Sequence, residues 1–362
     1  MCRARSQGII ISAFARPNGA TIGPSLEKDV ETGSWLWGRR LINPREHRFA
    51  FNRRALEWIF RVSEILAQLG LLSEGIEMKF VKGQRVKHPS KPEWGVGQVL
   101  EESSSAFVRI FFVGCGEKEL SLLQVSPLLV SGPEADHPVL ENLRASSPSS
   151  HAPYITLADQ ISNFLKLYPQ GFYGERYLDQ ERDYKLKAHN LASNTLAPGE
   201  LAELIQAERF ADICRSALRV MNSTNLVFPN EKMSLSDGLA NPLTQKAFAL
   251  ALDRLLHVNE PLQGRFDNFT TVLADINSAK WTIASYFPFI VHPGKYMFVK
   301  PTVTRCAAAI SAFEIAYRPK PNWQTYAAVQ SFSTYLYQAL AELRPRDMID
   351  VQSFMWCTAQ DA

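Results

Sequence analysis

The sequence predicts an α+β chain: a small β-barrel followed by a mostly α-helical domain. Three observations predict it. Residues 79–130 alternate short β-branched and aromatic runs with glycine-bearing turns. Residues 131–153 collect Pro133, Pro138, Pro148, Pro153 and the run SSPSS, the composition of a linker. From residue 154 to 357 the apolar spacing becomes helical.

The first 77 residues differ from the rest. They hold ten Arg and one Lys against 8 acidic residues, so the formal excess of +3 lies entirely there. The segment reads as an extension upstream of a natural start at Met78, with a genuine leader as the alternative. Within it one amphipathic helix is expected near 52–69, where Ala55, Trp58, Val62, Ile65 and Leu69 recur on one face and Gly70 ends the run.

In the next segment Phe80–His88 reads as a first strand with a bend at Gly83, and Gln98–Glu101 as a second. Ala106–Val113 is the strongest strand. Its alternation puts Phe107, Arg109, Phe111 and Val113 on one face and Val108, Ile110 and Phe112 on the other. The sequence GCGE supplies a hairpin turn before a fourth strand, Lys118–Leu123, with Leu120 and Leu122 on one face. Short strands joined by tight turns over about 50 residues suggest an SH3-like barrel, which hides its sheet edges by closure.

A short helix over Val139–Ala145 interrupts the expected linker. Helices are then predicted over Ile155–Tyr168, Gly199–Met221, Leu243–Val258, Arg265–Ile276, Val303–Phe313, Trp323–Leu343 and Arg346–Trp356, punctuated by prolines. About 200 residues can bury a substantial core without a cofactor or disulfide.

Composition narrows the function classes. The five cysteines are far apart and none has metal-ligand spacing, so no metal and no cofactor is expected and a reducing cytoplasm is the simplest location. No apolar run long enough to span a membrane occurs. GxxxxGK[ST], HExxH, GxSxG and CxxC are absent, and no catalytic residue is assigned. Neither 78–150 nor 151–362 is net basic, which argues against strong nonspecific nucleic-acid binding.

The most informative stretch is GQRVKHPSKPEWGVGQV, residues 83–99. Pro89 and Pro92 stiffen a loop, Gly95 and Gly97 permit a tight turn, and Trp94 can lid an apolar face. Gly83-Gln84-Arg85-Val86-Lys87-His88-Pro89 followed by Trp94-Gly95-Val96-Gly97-Gln98-Val99 resembles the G-D-x-V-x-H-x-x-F-G-x-G-x-V signature of small bacterial Tudor/SH3-like domains. Such domains end UvrD/PcrA-type helicases and, more distantly, occur in CarD-type RNA-polymerase-interacting proteins. A bacterial family of uncharacterised proteins with an HPxxPEWGxGxV motif is closer still. Gln84 replaces the usual acid, and Ser90–Glu93 enlarges the loop. The resemblance covers 79–130 only and implies a partner in RNA polymerase, a DNA-repair protein, or DNA or RNA directly.

Candidate binding residues are Lys82, Arg85, Lys87, His88, Lys91 and Trp94, a cationic strand and loop able to meet phosphates or an acidic protein surface. The plainer reading of the charges is a solvated edge that discourages aggregation. Lys300, Thr302 and Arg305, at an expected helix start, form a candidate anion site, with ordinary capping by Thr302 as the simpler account. The aromatics and cations of 168–187 could stack bases, although aromatics in a helical domain usually fill its core. Asp183 and Lys185 match half of a nuclease-like pattern, on a segment that reads as helix. The resulting expectation is a non-enzymatic adaptor. The alternatives are a nucleic-acid-processing or defence enzyme with its site in the helical domain, and a scaffold whose barrel docks on its own helices. The oligomeric state is left open.

Overall fold

A computed structural model describes residues 79–104, 106–144 and 154–359, together with four short strands in the first 41 residues. The chain divides into two units, Met1–Glu77 and Met78–Ala362.

In the first unit β1 (Ile10–Ile11), β2 (Leu26–Lys28), β3 (Trp35–Trp37) and β4 (Arg40–Leu41) pair in order as an antiparallel sheet. The sequence does not anticipate these strands. The helix expected near 52–69 lies outside the described residues.

The second unit opens with β5 (Arg85–Lys87), β6 (Val96–Val99), β7 (Phe107–Phe112), β8 (Gly116–Ser121) and β9 (Leu128–Leu129). They form one antiparallel sheet in the order β8-β7-β6-β5-β9. The first strand is shorter than expected because Gly83, at φ +90, turns the chain and Gln84 N donates back to Val81 O. The alternation of β7 has the expected consequence. Val108, Ile110 and Phe112 join Phe80, Val86, Val99 and Leu120 in one apolar cluster. The two glycines of the Gly-x-Gly serve different needs. Gly95 adopts φ +69, which side chains resist. Gly97 leaves no room for a Cβ, which would lie 2.6 Å from Phe112 and 2.8 Å from Ile110.

The helical region begins with α1 (Pro138–Glu141), α2 (Leu157–Leu167), α3 (Glu175–Tyr177) and, after a π-helical turn at Leu178–Arg182, α4 (Asp183–Thr195). It continues with α5 (Pro198–Gln206), α6 (Phe210–Asn222), α7 (Pro229–Gly238), α8 (Pro242–His257) and α9 (Leu262–Asp275). The short α10 (Trp281–Ala284) and α11 (Tyr286–Val291) precede α12 (Pro301–Ile310), α13 (Trp323–Ala339) and α14 (Met348–Thr358). The sequence predicts one helix over 199–221. The chain instead breaks at Ala207–Arg209, where Glu208 turns left-handed (φ 54) and its N–H and that of Arg209 cap the carbonyls of Ile205 and Leu204. Leu201, Ile213 and Ala217 are buried across the break, so periodicity located the apolar face and missed the corner. Phe266 stacks on Tyr326 at 4.3 Å within the main core.

Sheet and helices share that core. Val96 and Phe111 lie in the same buried cluster as the helical side chains, and Phe111 meets Tyr154 edge-on at 4.9 Å. The Tyr154 hydroxyl donates to Val113 O. Residues 132–144 are not the free linker the sequence suggests. Val139 and Leu140 are buried, and Leu143 forms a β-bridge with Phe313. Arg144 N donates to Ala312 O at 2.9 Å and Glu314 N to Asn142 O at 2.7 Å, which ties this strap to the end of α12. Burial of two aliphatic side chains outweighs the linker-like composition around them.

Candidate binding surface

The loop between β5 and β6 is built around Trp94. Pro92–Trp94 forms a single 3₁₀ turn closed by Gly95 N on Pro92 O, and Gly114 N donates to Trp94 O at 2.9 Å. The half-buried indole packs on Phe112 at 5.2 Å and meets His88 edge-on at 4.7 Å. The Lys91 ammonium lies 5.4 Å from its ring centroid. Buried His88 accepts from Ser90 N through Nδ1, which fixes the first turn of the loop. The structure therefore brings together His88, Lys91 and Trp94.

It places the remaining candidates elsewhere. Lys82 is exposed in the turn ahead of β5, and Lys91 follows that strand, so the two lie at opposite ends of it. Between them Arg85 binds Gln98 and reaches Glu141 at 2.5 Å, while Lys87 meets Glu134 at 2.8 Å. The hydrogen bond and charge of Lys87 pull the Glu134 carboxyl below its usual range. Both acids belong to the strap, so the centre of the cationic strand is neutralised from within the chain.

The free end of the sheet is apolar. Phe107 and Val81 are each 48% exposed and Leu123 is 84% exposed. Backbone hydrogen bonds gather the segments that carry them: Ser103 N to Phe80 O, Ser104 N to Phe107 O, and Leu122 N to Ala106 O. Phe107 shares a face of β7 with Phe111, and that face is docked at one end and open at the other. The β7 alternation contains this signal, which the sequence alone cannot separate from core packing.

The anion-site candidates divide. The Lys300 ammonium lies 4.5 Å from the Trp356 ring and 5.2 Å from Phe228, and burial holds its pKa below the usual lysine value against the pull of Glu231 and Glu181. Thr302 and Arg305 are exposed and line a different cleft. Thr302 does not cap α12. Lys300 is the N-cap residue, Pro301 follows it, and no side chain caps the turn.

One charged cluster escaped the sequence. Fully buried Asp350 accepts from Tyr177 Oη at 2.7 Å, Arg182 Nη1 at 2.9 Å, Arg346 Nε at 2.9 Å and Arg346 N at 2.8 Å. Arg182 also pairs with Asp347 at 2.7 Å. Lys185, 1% exposed, donates to Ser353 Oγ at 2.8 Å and Glu181 at 3.2 Å. Burial lowers its pKa, and Glu181 opposes that. Lys185 thus bonds to α14, while Asp183 is exposed, so they do not form the nuclease-like pair. Tyr168, Phe172 and Tyr177 of the aromatic run are buried together as a core element, while Tyr173 is exposed. Asp347 caps α14, its side chain accepting from Ile349 N.

Fold and surface define a class: a small antiparallel sheet with an aromatic-lidded loop, mounted on a helical body. Residues 80–118 match a family described as a protein of unknown function (DUF3553). The match covers part of the sheet module alone. No curated protein and no solved structure matches the chain. Among the described residues no helix is long and apolar enough to cross a membrane, and no group of three or more His, Cys, Asp and Glu could hold a metal ion.

Proposed function

We propose that residues 79–130 act as an SH3/Tudor-like docking barrel of a non-enzymatic adaptor, held rigidly on the helical body, and that the partner is a protein of the transcription or DNA-repair machinery. The observation that carries this is the exposed group Val81, Phe107 and Leu123 at the undocked end of the sheet. Direct nucleic-acid binding draws less support. It depends on several free cations along a phosphate backbone, and Arg85, Lys87 and Lys91 are each paired with a carboxylate within 4 Å.

The test compares the full chain with Phe107→Glu in a pull-down of purified RNA polymerase and of repair helicases, beside a gel-shift titration with DNA and RNA over a range of salt. The reading expects capture by one of these proteins, its loss in Phe107→Glu, and capture retained in Lys87→Ala. A salt-steep shift of nucleic acid, unchanged in Phe107→Glu, would remove the protein-partner reading.

The burial of Phe111 and Val96 favours a second reading, in which the module only braces the helical body. In that case no partner is captured, and Phe107→Glu changes nothing but solubility.

A further inference from the structure

We infer that the cleft between α12 and the strap is a binding site for a phosphate monoester carrying an apolar or aromatic group. The cleft has a volume of about 480 Å³, within the range of small-molecule sites. Two arginines stand at it, Arg144 from the strap and Arg305 from α12. Neither has a carboxylate within 4 Å among the described residues. One acid, Glu314, also lies on the lining, where it accepts from Ala316 N at 2.6 Å.

The two arginines come to the cleft from different elements. The Arg144 backbone is fixed by its hydrogen bond to Ala312 O. The Arg305 guanidinium lies over the Tyr317 ring at 5.1 Å, which orients its planar fork and leaves the edge donors for a bidentate acceptor. The Thr302 hydroxyl, not used as a cap, adds a neutral donor on the same lining. Cys306, Ala309 and Tyr317, each half-buried on the lining, supply apolar surface for the organic group. The wall formed by this segment has left-handed backbone at Ala312 (φ 51) and Ala316 (φ 45). The bridge to the strap holds that wall in place.

The site is separate from the undocked end of the sheet, so its test stands apart from that of the adaptor reading. Phenyl phosphate, inorganic phosphate and phenol are titrated calorimetrically into the full chain, into Arg144→Ala and into Arg305→Ala. Both arginines are exposed, so each variant is expected to melt within about 1 °C of the parent. Phenyl phosphate should bind more tightly than inorganic phosphate, phenol should not bind, and each variant should bind about tenfold or more weakly. No binding of phenyl phosphate at millimolar concentration overturns the site. Binding that survives either substitution overturns the two-arginine assignment, and equal affinity for both phosphates overturns the apolar subsite.

Discussion

The two halves of the second unit use charge in opposite ways. In the helical body Arg182, Lys185 and Arg346 surround buried Asp350 and its neighbours, and each ion has an opposite charge within 4 Å. On the sheet module Lys87–Glu134 and Arg109–Glu101 are open to water. The same Coulomb attraction is therefore decisive in one place and minor in the other. Breaking a desolvated pair strands a charge, whereas water replaces a lost surface partner. The module is attached instead by apolar burial at Phe111 and Val96. That leaves its solvent-facing side chains free to vary or to recruit.

The strongest way to break this contrast is Asp350→Ala. It leaves Arg182, Arg346 and the Tyr177 hydroxyl without their shared acceptor, and a loss of about 3–5 kcal/mol is expected in urea unfolding. A loss comparable to that of an exposed pair would show the network to be ornamental.

Phe111→Ala comes next. It removes the ring that meets Tyr154, with an expected cost of about 3 kcal/mol. Hydrogen exchange should rise across 79–130 and remain unchanged in α8 and α9. A uniform rise across the second unit would mean that module and body unfold as one cooperative block.

The smallest effect is that of pH on the strap. Burial, and then the charge of Arg85, hold the His137 pKa below its ordinary 6.5. Its neutral Nδ1 accepts from Val139 N as the cap of α1. Below about pH 6.5 the unfolded chain binds the proton more readily than the folded one, so stability is complete above that value and declines as the pH falls. His292, lowered by burial, adds a change of the same sign. His137→Asn keeps a capping oxygen without titrating and should flatten part of the decline in melting temperature. An unchanged slope would assign the whole effect to His292 or to other groups.

Much of the local structure was legible in the chain. The alternation of Val108, Ile110 and Phe112 marked an inner face, and the helix over 243–258 lies within one residue of α8, because its apolar period and Pro242 act locally. The break at Glu208 was not legible, since it is a backbone corner inside an unbroken apolar period. Of the binding candidates, His88, Lys91 and Trp94 were legible as a group because one loop carries them. Arg85 and Lys87 resembled free cations because their acids, Glu141 and Glu134, lie about 50 residues further along.

The sequence by itself determined the inner face of β7, the span of α8 and which loop Trp94 lids. These follow from periodicity, proline and glycine within a few residues. Tertiary structure alone decided which end of the β7 face is covered at Phe111 and open at Phe107, which charges are buried around Asp350, and which arginines line one cleft. Each of those outcomes depends on residues far apart in the chain, and burial, which sets the strength of every polar contact, exists only once they have met.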